Sequence, residues 1–403
     1  MPRLTRTQFV SGVWSVGYGE WWYKETPSGM MGLFKKPFTG GPGMHRRRQI
    51  ARIIGRHFTL LRKSQRTTLC ALAVGLSVSR RLGLASIARG MLSATSVRHR
   101  IKRVWRFASN EGICLQAATV GMVNWLTWVS KEPLVVALDW TDLPEERRML
   151  MAAATVCGRA VPLAWTVMHR SRFTPRRRSQ NEAEEQLILR LKEAIGDWPW
   201  VLVADRGFAR ADLFAKLQRW GIRYVIRAAS NVWVRTKGFS GRLGNVARHA
   251  GMARLYRDVR YQKTRQVRVN LVLVHREPAP EPWYLVTNVE GTARRVEKLY
   301  RRRMWIEECL RDAKSGMGLG KLWLARVERI ERLLIVMAVV MMLAVVVALS
   351  WRAEHGGKDP QLSTKRRGGS LSIFRLGMEW IRQHGLPPGI AQVRLPPTPE
   401  NVL

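Results

Sequence analysis

The sequence predicts an α/β protein, a mixed sheet preceded by an all-helical segment and interrupted by a β-rich stretch. Three observations predict it. Helical periodicity dominates residues 44–131, short apolar runs bounded by turn residues begin at Pro133, and helical stretches then alternate with those runs. The 403 residues carry 69 Lys and Arg against 29 Asp and Glu, a net charge of +40. Self-repulsion on that scale calls for a polyanionic partner, and the phosphates of nucleic acid fit best. The four cysteines, Cys70, Cys114, Cys157 and Cys309, form no CxxC pair and no zinc cluster, so they read as reduced thiols, mostly buried.

Residues 1–43 hold Trp14, Trp21, Trp22 and many glycines without a clear period. They read as a flexible leader, or as an upstream misreading of the start with Met44 as the true first residue. No secretory signal is visible, and a cytoplasmic chain is expected.

From Met44 to Lys131 the chain reads as helical and basic. His45–Arg62 places Ile50, Ile53, Ile54, Phe58 and Leu61 on one side, and Thr67–Val78 is apolar. Leu84–Leu92 and Ser96–Phe107 are two further helices joined by Ser93-Ala-Thr-Ser, with Ser96 as an N-cap. In the second of these, Val97, Ile101, Val104 and Ala108 form an apolar stripe, and Arg98, Arg100, Lys102, Arg103 and Arg106 cover the other faces. A short helix, a tight turn and a basic helix make a helix-turn-helix candidate. A solvated face on an ordinary bundle is the local alternative, and the charge of the whole segment favours DNA.

The sheet begins with Leu134–Leu138, ending in Asp139. Arg148–Val156 and Val161–Met168 follow, with Gly158 and Arg159 between them as a hairpin. A basic loop, Arg172–Arg178, leads to Ser179-x-x-Glu182, a capping box that opens a helix to about Ile195. Trp200–Ala204 is a strand ending in Asp205, Ala211–Trp220 a helix, and Arg223–Arg227 a strand. The order βββαβαβ is ribonuclease-H-like. Residues 229–290 break the alternation with strand-like Val232–Arg235, Gln266–Val274 and Trp283–Thr287, and read as a β-rich insertion. Helix resumes from Arg294 to Lys314. The expected core therefore comprises residues 132–228 and 291–355, followed by a basic tail, 356–403, with the patch Lys365-Arg-Arg367 and a helix near Ser372–His384.

Leu333–Trp351 is nineteen residues without a charge, long enough to span a membrane. Charges of both signs crowd its ends and no second span exists, so a helix buried on all sides of a core is the preferred reading.

Two strands ending in aspartate, Asp139 and Asp205, place carboxylates where ligands bind in open α/β sheets. Paired carboxylates there can share divalent cations that serve both oxygens of a phosphodiester displacement. Terminal aspartates also cap turns, so this signal alone is modest. Asp142, three residues on, faces the other way along a continuing strand. The spacing Tyr300-x2-Arg303-x3-Glu307-x6-Lys314 puts four polar side chains within an arc of about 60° on one helix. Arg311 lies beside the stripe, and Glu308 points elsewhere. Such a face suits phosphate handling, with an Arg fork and a Lys point charge beside a metal-binding Glu; a solvent-facing charged stripe is the alternative for an anonymous helix.

Tyr300, Arg303, Glu307 and Lys314 match without a gap the Tyr-x2-Arg-x3-Glu-x6-Lys motif of the "IS-four" family of bacterial insertion-sequence transposases. Asp139 in Ala-Leu-Asp-Trp-Thr-Asp and Asp205 in Val-Ala-Asp-Arg-Gly-Phe resemble the other members of that family's DDE triad. Trp283 resembles the family tryptophan that stacks on a flipped base. The resemblance spans about residues 45–355. It implies a DNA transposase that cleaves at its element's ends and joins them to target DNA, with Asp139, Asp205 and Glu307 as catalytic metal ligands. It further implies Mg²⁺, as two ions and replaceable by Mn²⁺, since carboxylate oxygens suit a hard cation. Double-stranded DNA and a DNA-bound homodimer are the implied partners, with no membrane. Tyr300, Arg303 and Lys314 would contact DNA phosphate, and Trp283 a flipped base, should hairpin intermediates form. A transposase-derived DNA-binding protein without catalysis is the alternative.

Overall fold

The structure is a computed structural model that describes residues 42–173, 180–246, 253–276, 281–355 and 371–395. The expected leader up to residue 41, most of the basic loop with Ser179 of the capping box, and the patch at 365–367 lie outside the described residues.

Five helices come first: α1 (Pro42–His57), α2 (Lys63–Ser79), α3 (Leu84–Gly90), α4 (Val97–Ser109) and α5 (Leu115–Val129). The apolar side expected on the first is its buried side, since Ile50, Ile53 and Ile54 are each 1% exposed. Helices α2 and α3 are bent by 94° to one another. A Cβ at Gly75 would collide with the Ile87 carbonyl, and one at Gly90 with the Gly75 carbonyl, so glycine is what lets the two backbones touch. Ser96 caps α4, its hydroxyl accepting from the His99 N–H. Val104 and Ala108 are buried and Ile101 half-buried, as the periodicity predicts. Val97 is exposed instead, because it opens the helix.

The sheet has ten strands in the order β3-β2-β1-β4-β5-β10-β9-β8-β6-β7. The first five are β1 (Leu134–Leu143), β2 (Arg147–Val156), β3 (Arg159–His169), β4 (Trp200–Ala204) and β5 (Arg223–Ala228). Strands β1, β4 and β5 are parallel, and β2 and β3 form an antiparallel meander on the β1 edge. Between β2 and β3, Cys157 and Gly158 turn the chain with φ of 43° and 86°, the two positive values a tight hairpin requires. Helix α6 (Gln180–Ile195) connects β3 to β4, and α7 (Ala211–Arg219) connects β4 to β5. This mixed α/β arrangement is consistent with a ribonuclease-H-like core.

The stretch expected as an insertion continues the same sheet. Strands β6 (Trp233–Thr236), β7 (Phe239–Arg242), β8 (Ala253–Tyr261), β9 (Val267–Val274) and β10 (Trp283–Thr287) follow in sequence. Strand β10 pairs antiparallel with β5 on one side and β9 on the other. Tyr284 to Thr287 are all buried, as befits a strand covered on both faces.

The expected helix 294–314 is broken. Helix α8 (Ala293–Arg301) and α9 (Met304–Arg311) meet at Arg302–Arg303, and a π-type turn, Asp312–Gly316, ends α9. At the break, the Arg303 N–H donates to the Tyr300 carbonyl at 2.9 Å, a tighter turn than the α-helix makes.

Helix α10 (Val327–His355) holds the uncharged stretch. Every residue from Leu333 to Trp351 is buried. Helix α10 packs on β3, α2, α4, α5 and α11 (Ile373–His384), so the helical segment, the sheet and the tail share one apolar core. By length and composition α10 could cross a membrane, as could the bent α2–α3 pair, but protein covers the apolar window of α10 completely. The described tail residues are docked rather than loose. Arg46 donates to the Ile381 carbonyl at 2.7 Å, Arg80 pairs with Glu379, and the Leu395 N–H bonds the Val129 carbonyl.

Candidate active site

The two aspartates meet through strand register. Strands β1 and β4 run parallel with Leu138 opposite Ala204 as their last pair. Asp205 is the first residue past β4, and Asp139 is the next residue of β1 beside it; the expected strand end at Asp139 is not one, since β1 runs on to Leu143 by pairing with β2. Asp205 precedes a 3₁₀ turn, but its carboxylate caps nothing there. It accepts instead from the Tyr300 hydroxyl at 3.4 Å.

Helices α8 and α9 bring the remaining groups. Tyr300 is buried, and its ring lies edge-on to Trp283 with centroids 5.1 Å apart. Trp283 opens β10, so the sheet extension places it there. Arg303 is the hub: one guanidinium nitrogen lies 2.8 Å from Glu307 and the other 3.6 Å from Asp139. Its Nε is buried without a hydrogen-bond partner. Glu307 is half-buried on the first turn of α9.

The carboxylates act on one another electrostatically. Burial pushes the Asp139 carboxyl above its usual range, Arg303 and a backbone N–H at Trp140 oppose that rise, and Glu307 and Asp205 add to it. Burial likewise raises the Tyr300 hydroxyl, and Asp205 raises it further. Among the described residues, no three His, Cys, Asp or Glu side chains are close enough as placed to hold a metal ion. The ion pairs give the reason: Glu307 is turned onto the guanidinium of Arg303, which also faces Asp139. The donor set still suits a hard cation. It is three oxygen ligands whose mutual repulsion a divalent ion would relieve.

The competing acids are engaged elsewhere. Asp142 pairs with Arg148 and Arg170, and Glu308 with Arg159 and Arg311. Lys314 sits half-buried in the π-type turn and makes no ion pair among the described residues. On α4, Arg98, Lys102 and Arg106 are exposed and Arg103 half-buried. Arg100 has a structural duty, donating to the Met91 carbonyl at 2.9 Å across the α3–α4 turn.

One feature beside the two aspartates was invisible in the sequence. Glu184 on α6 is 0% exposed and receives the Trp140 indole N–H at 2.8 Å, the Gln180 amide at 3.0 Å and the Arg210 guanidinium. Trp140 adjoins Asp139, and Arg210 lies just past Asp205. In sequence Glu184 is one of several acids on a helix, and only the tertiary fold selects it.

A family model described as "Transposase DDE domain" matches residues 130–343, more than half of the chain. No curated protein matches the chain significantly. The matched span holds both aspartates, Glu307, Trp283, Tyr300, Arg303 and Lys314, and because it covers more than half of the chain it shows that this chain belongs to the transposase DDE domain family.

Proposed function

We propose that this chain is a DNA transposase of the "IS-four" type that cleaves at its element's ends and joins them to target DNA. The observation that carries the reading is Arg303, a fork held between Asp139 and Glu307 while Asp205 stands at the adjoining strand end. Asp139, Asp205 and Glu307 would hold divalent cations, Mg²⁺ or Mn²⁺. When bound, these would neutralise phosphate charge and favour both the attacking and the leaving oxygen.

The chain's own residues supply the rest. Arg303 offers paired donors to a phosphate, the geometry a guanidinium matches best. Tyr300 adds a hydroxyl from a buried, fixed ring, and Lys314 a point charge beyond it. Trp283 stands against Tyr300, where a flipped base could stack. The reaction balances as hydrolysis of one phosphodiester, followed by attack of the freed 3′-hydroxyl on a target phosphodiester with its 3′-bridging oxygen leaving as a new 3′-hydroxyl. The helical segment 44–131, with exposed cations on α4, would grip the duplex, and two chains would bring two ends together. The compartment would be the bacterial cytoplasm, where the DNA lies.

The test is strand cleavage of DNA carrying the element's ends in Mg²⁺, comparing wild type with Glu307→Gln. Cleavage by wild type, lost in the variant while binding persists, supports the reading. Equal binding with no cleavage by either protein, in Mg²⁺ or Mn²⁺, would sink it in favour of a non-catalytic DNA binder.

A further inference from the structure

Trp323 is the most exposed large apolar side chain among the described residues, at 69%. A single exposed hydrophobe means little by itself. Three further observations give this one meaning.

The first is that Trp323 is presented rather than left loose. Its neighbours Leu322 and Leu324 are buried. Upstream, the Lys321 N–H bonds the Gly318 carbonyl at 3.0 Å, and the Leu82 N–H bonds the Met317 carbonyl at 2.7 Å. Downstream, Arg147 reaches the Ala325 carbonyl at 3.4 Å. The segment is therefore pinned on both sides of the indole.

The second is position. Arg147 opens β2 opposite Leu143, the last residue of β1. Asp139 lies four residues back on the same strand, about 13 Å at the rise of an extended chain. Ala325 is thus held at the end of the β1–β2 pair towards which β1 runs past Asp139, and Trp323 is two residues from it.

The third is charge. Residues 313–326 contain Lys314, Lys321 and Arg326 and no acid, and exposed Arg81 lies beside Gly318. Other tryptophans are engaged: Trp105 lies under the Arg329 guanidinium at 4.0 Å, and Trp283 against Tyr300. Among the described residues, Trp323 stacks on no ring and lies under no cation.

From these we propose that Trp323 is a stacking platform for an unpaired nucleobase, in a frayed end or single-stranded segment of the bound DNA. A pinned, exposed indole in a segment that carries cations and no acid is what single-strand recognition uses. The cations track the backbone while the ring accepts any base face. The proposal rests on the transposase reading for its ligand but concerns a contact separate from Trp283 and from the carboxylates.

The experiment measures binding of the full-length chain to a labelled thymidine oligonucleotide and to a long duplex of the same label. Wild type is compared with Trp323→Leu and Trp323→Phe. Loss of one stacked base weakens binding by about tenfold, so Trp323→Leu is expected to lose about tenfold on the single strand. It should change little on the duplex, and Trp323→Phe should keep most of the affinity. Wild-type affinity of Trp323→Leu for the single strand would overturn the proposal, as would equal losses on both DNAs or a Phe variant as weak as the Leu variant. A changed sedimentation coefficient in Trp323→Leu with unchanged DNA binding would also overturn it, marking a surface for a second copy of the chain. Failure of wild type to bind any DNA would instead remove the transposase reading and the platform together.

Discussion

The indole N–H of Trp140 donates to the buried carboxylate of Glu184 at 2.8 Å, tying the residue after Asp139 to α6. The same carboxylate holds Arg210, which follows the turn that Asp205 opens. A single acid therefore links the flanks of both aspartates from the opposite side of the sheet. Removing one partner of a buried pair leaves the other uncompensated, at a cost of about 3 kcal/mol or more. Glu184→Ala should lower the midpoint of thermal unfolding and raise the Mg²⁺ concentration needed for half-maximal cleavage. Glu184→Gln keeps one acceptor and should recover part of both. An alanine variant with wild-type unfolding and metal dependence would show that the link does no positioning.

Arg303 makes a second prediction. Its two nitrogens face two different carboxylates, a fork that lysine cannot reproduce. Arg303→Lys should keep DNA affinity near wild type and cut strand cleavage by about 10²-fold, the scale of losing one preorganised donor at a reacting phosphate. Cleavage within twofold of wild type would remove Arg303 from the reaction.

The strands of the core were legible because the physics there is local. Leu134–Leu138 and Trp200–Ala204 are apolar runs that each stop at an aspartate, and parallel pairing turns two such stops into neighbours. The Tyr300, Arg303 and Glu307 spacing was legible as a motif, but the single helix face expected for it is divided between α8 and α9. The break between α8 and α9 was not legible, since nothing at Arg302–Arg303 is a helix breaker. Nor did alternation tell that β10 joins β5. Strand partners are chosen by non-local edges, and a strand run looks the same in an insertion or a core.

Asp312 offers a titration test. It sits one residue past α9, and burial pushes its carboxyl from near 3.8 up to about 6, with Arg159 opposing and Glu308 adding to the rise. A carboxyl raised in the folded state holds its proton where the unfolded chain has lost it. Its contribution therefore favours folding at low pH and is lost as pH climbs through about 6. Asp312→Asn cannot ionise, so relative to wild type it should gain stability between about pH 5 and pH 7.5. Thermal midpoints of both proteins at the two values check this, and an unchanged difference would mean that Asp312 titrates normally.

One side of the uncharged stretch of α10 is covered by α11, and the contact is a backbone one. A Cβ added at Gly377 would collide with the carbonyl of Ala344, in the middle of the apolar run. A backbone carbonyl inside a helix cannot swing aside, so any side chain at 377 must push α11 off. Overpacking of a tight core costs about 1–3 kcal/mol, and more where nothing can give. Gly377→Leu should therefore undock the tail and bare part of a helix as apolar as a membrane span. The expected readouts are early proteolysis after about residue 355 and new binding of a hydrophobic dye. Gly207→Ala serves as a control, because a Cβ there meets nothing. If Gly377→Leu resists protease and dye as well as the control, α11 is not what shields α10.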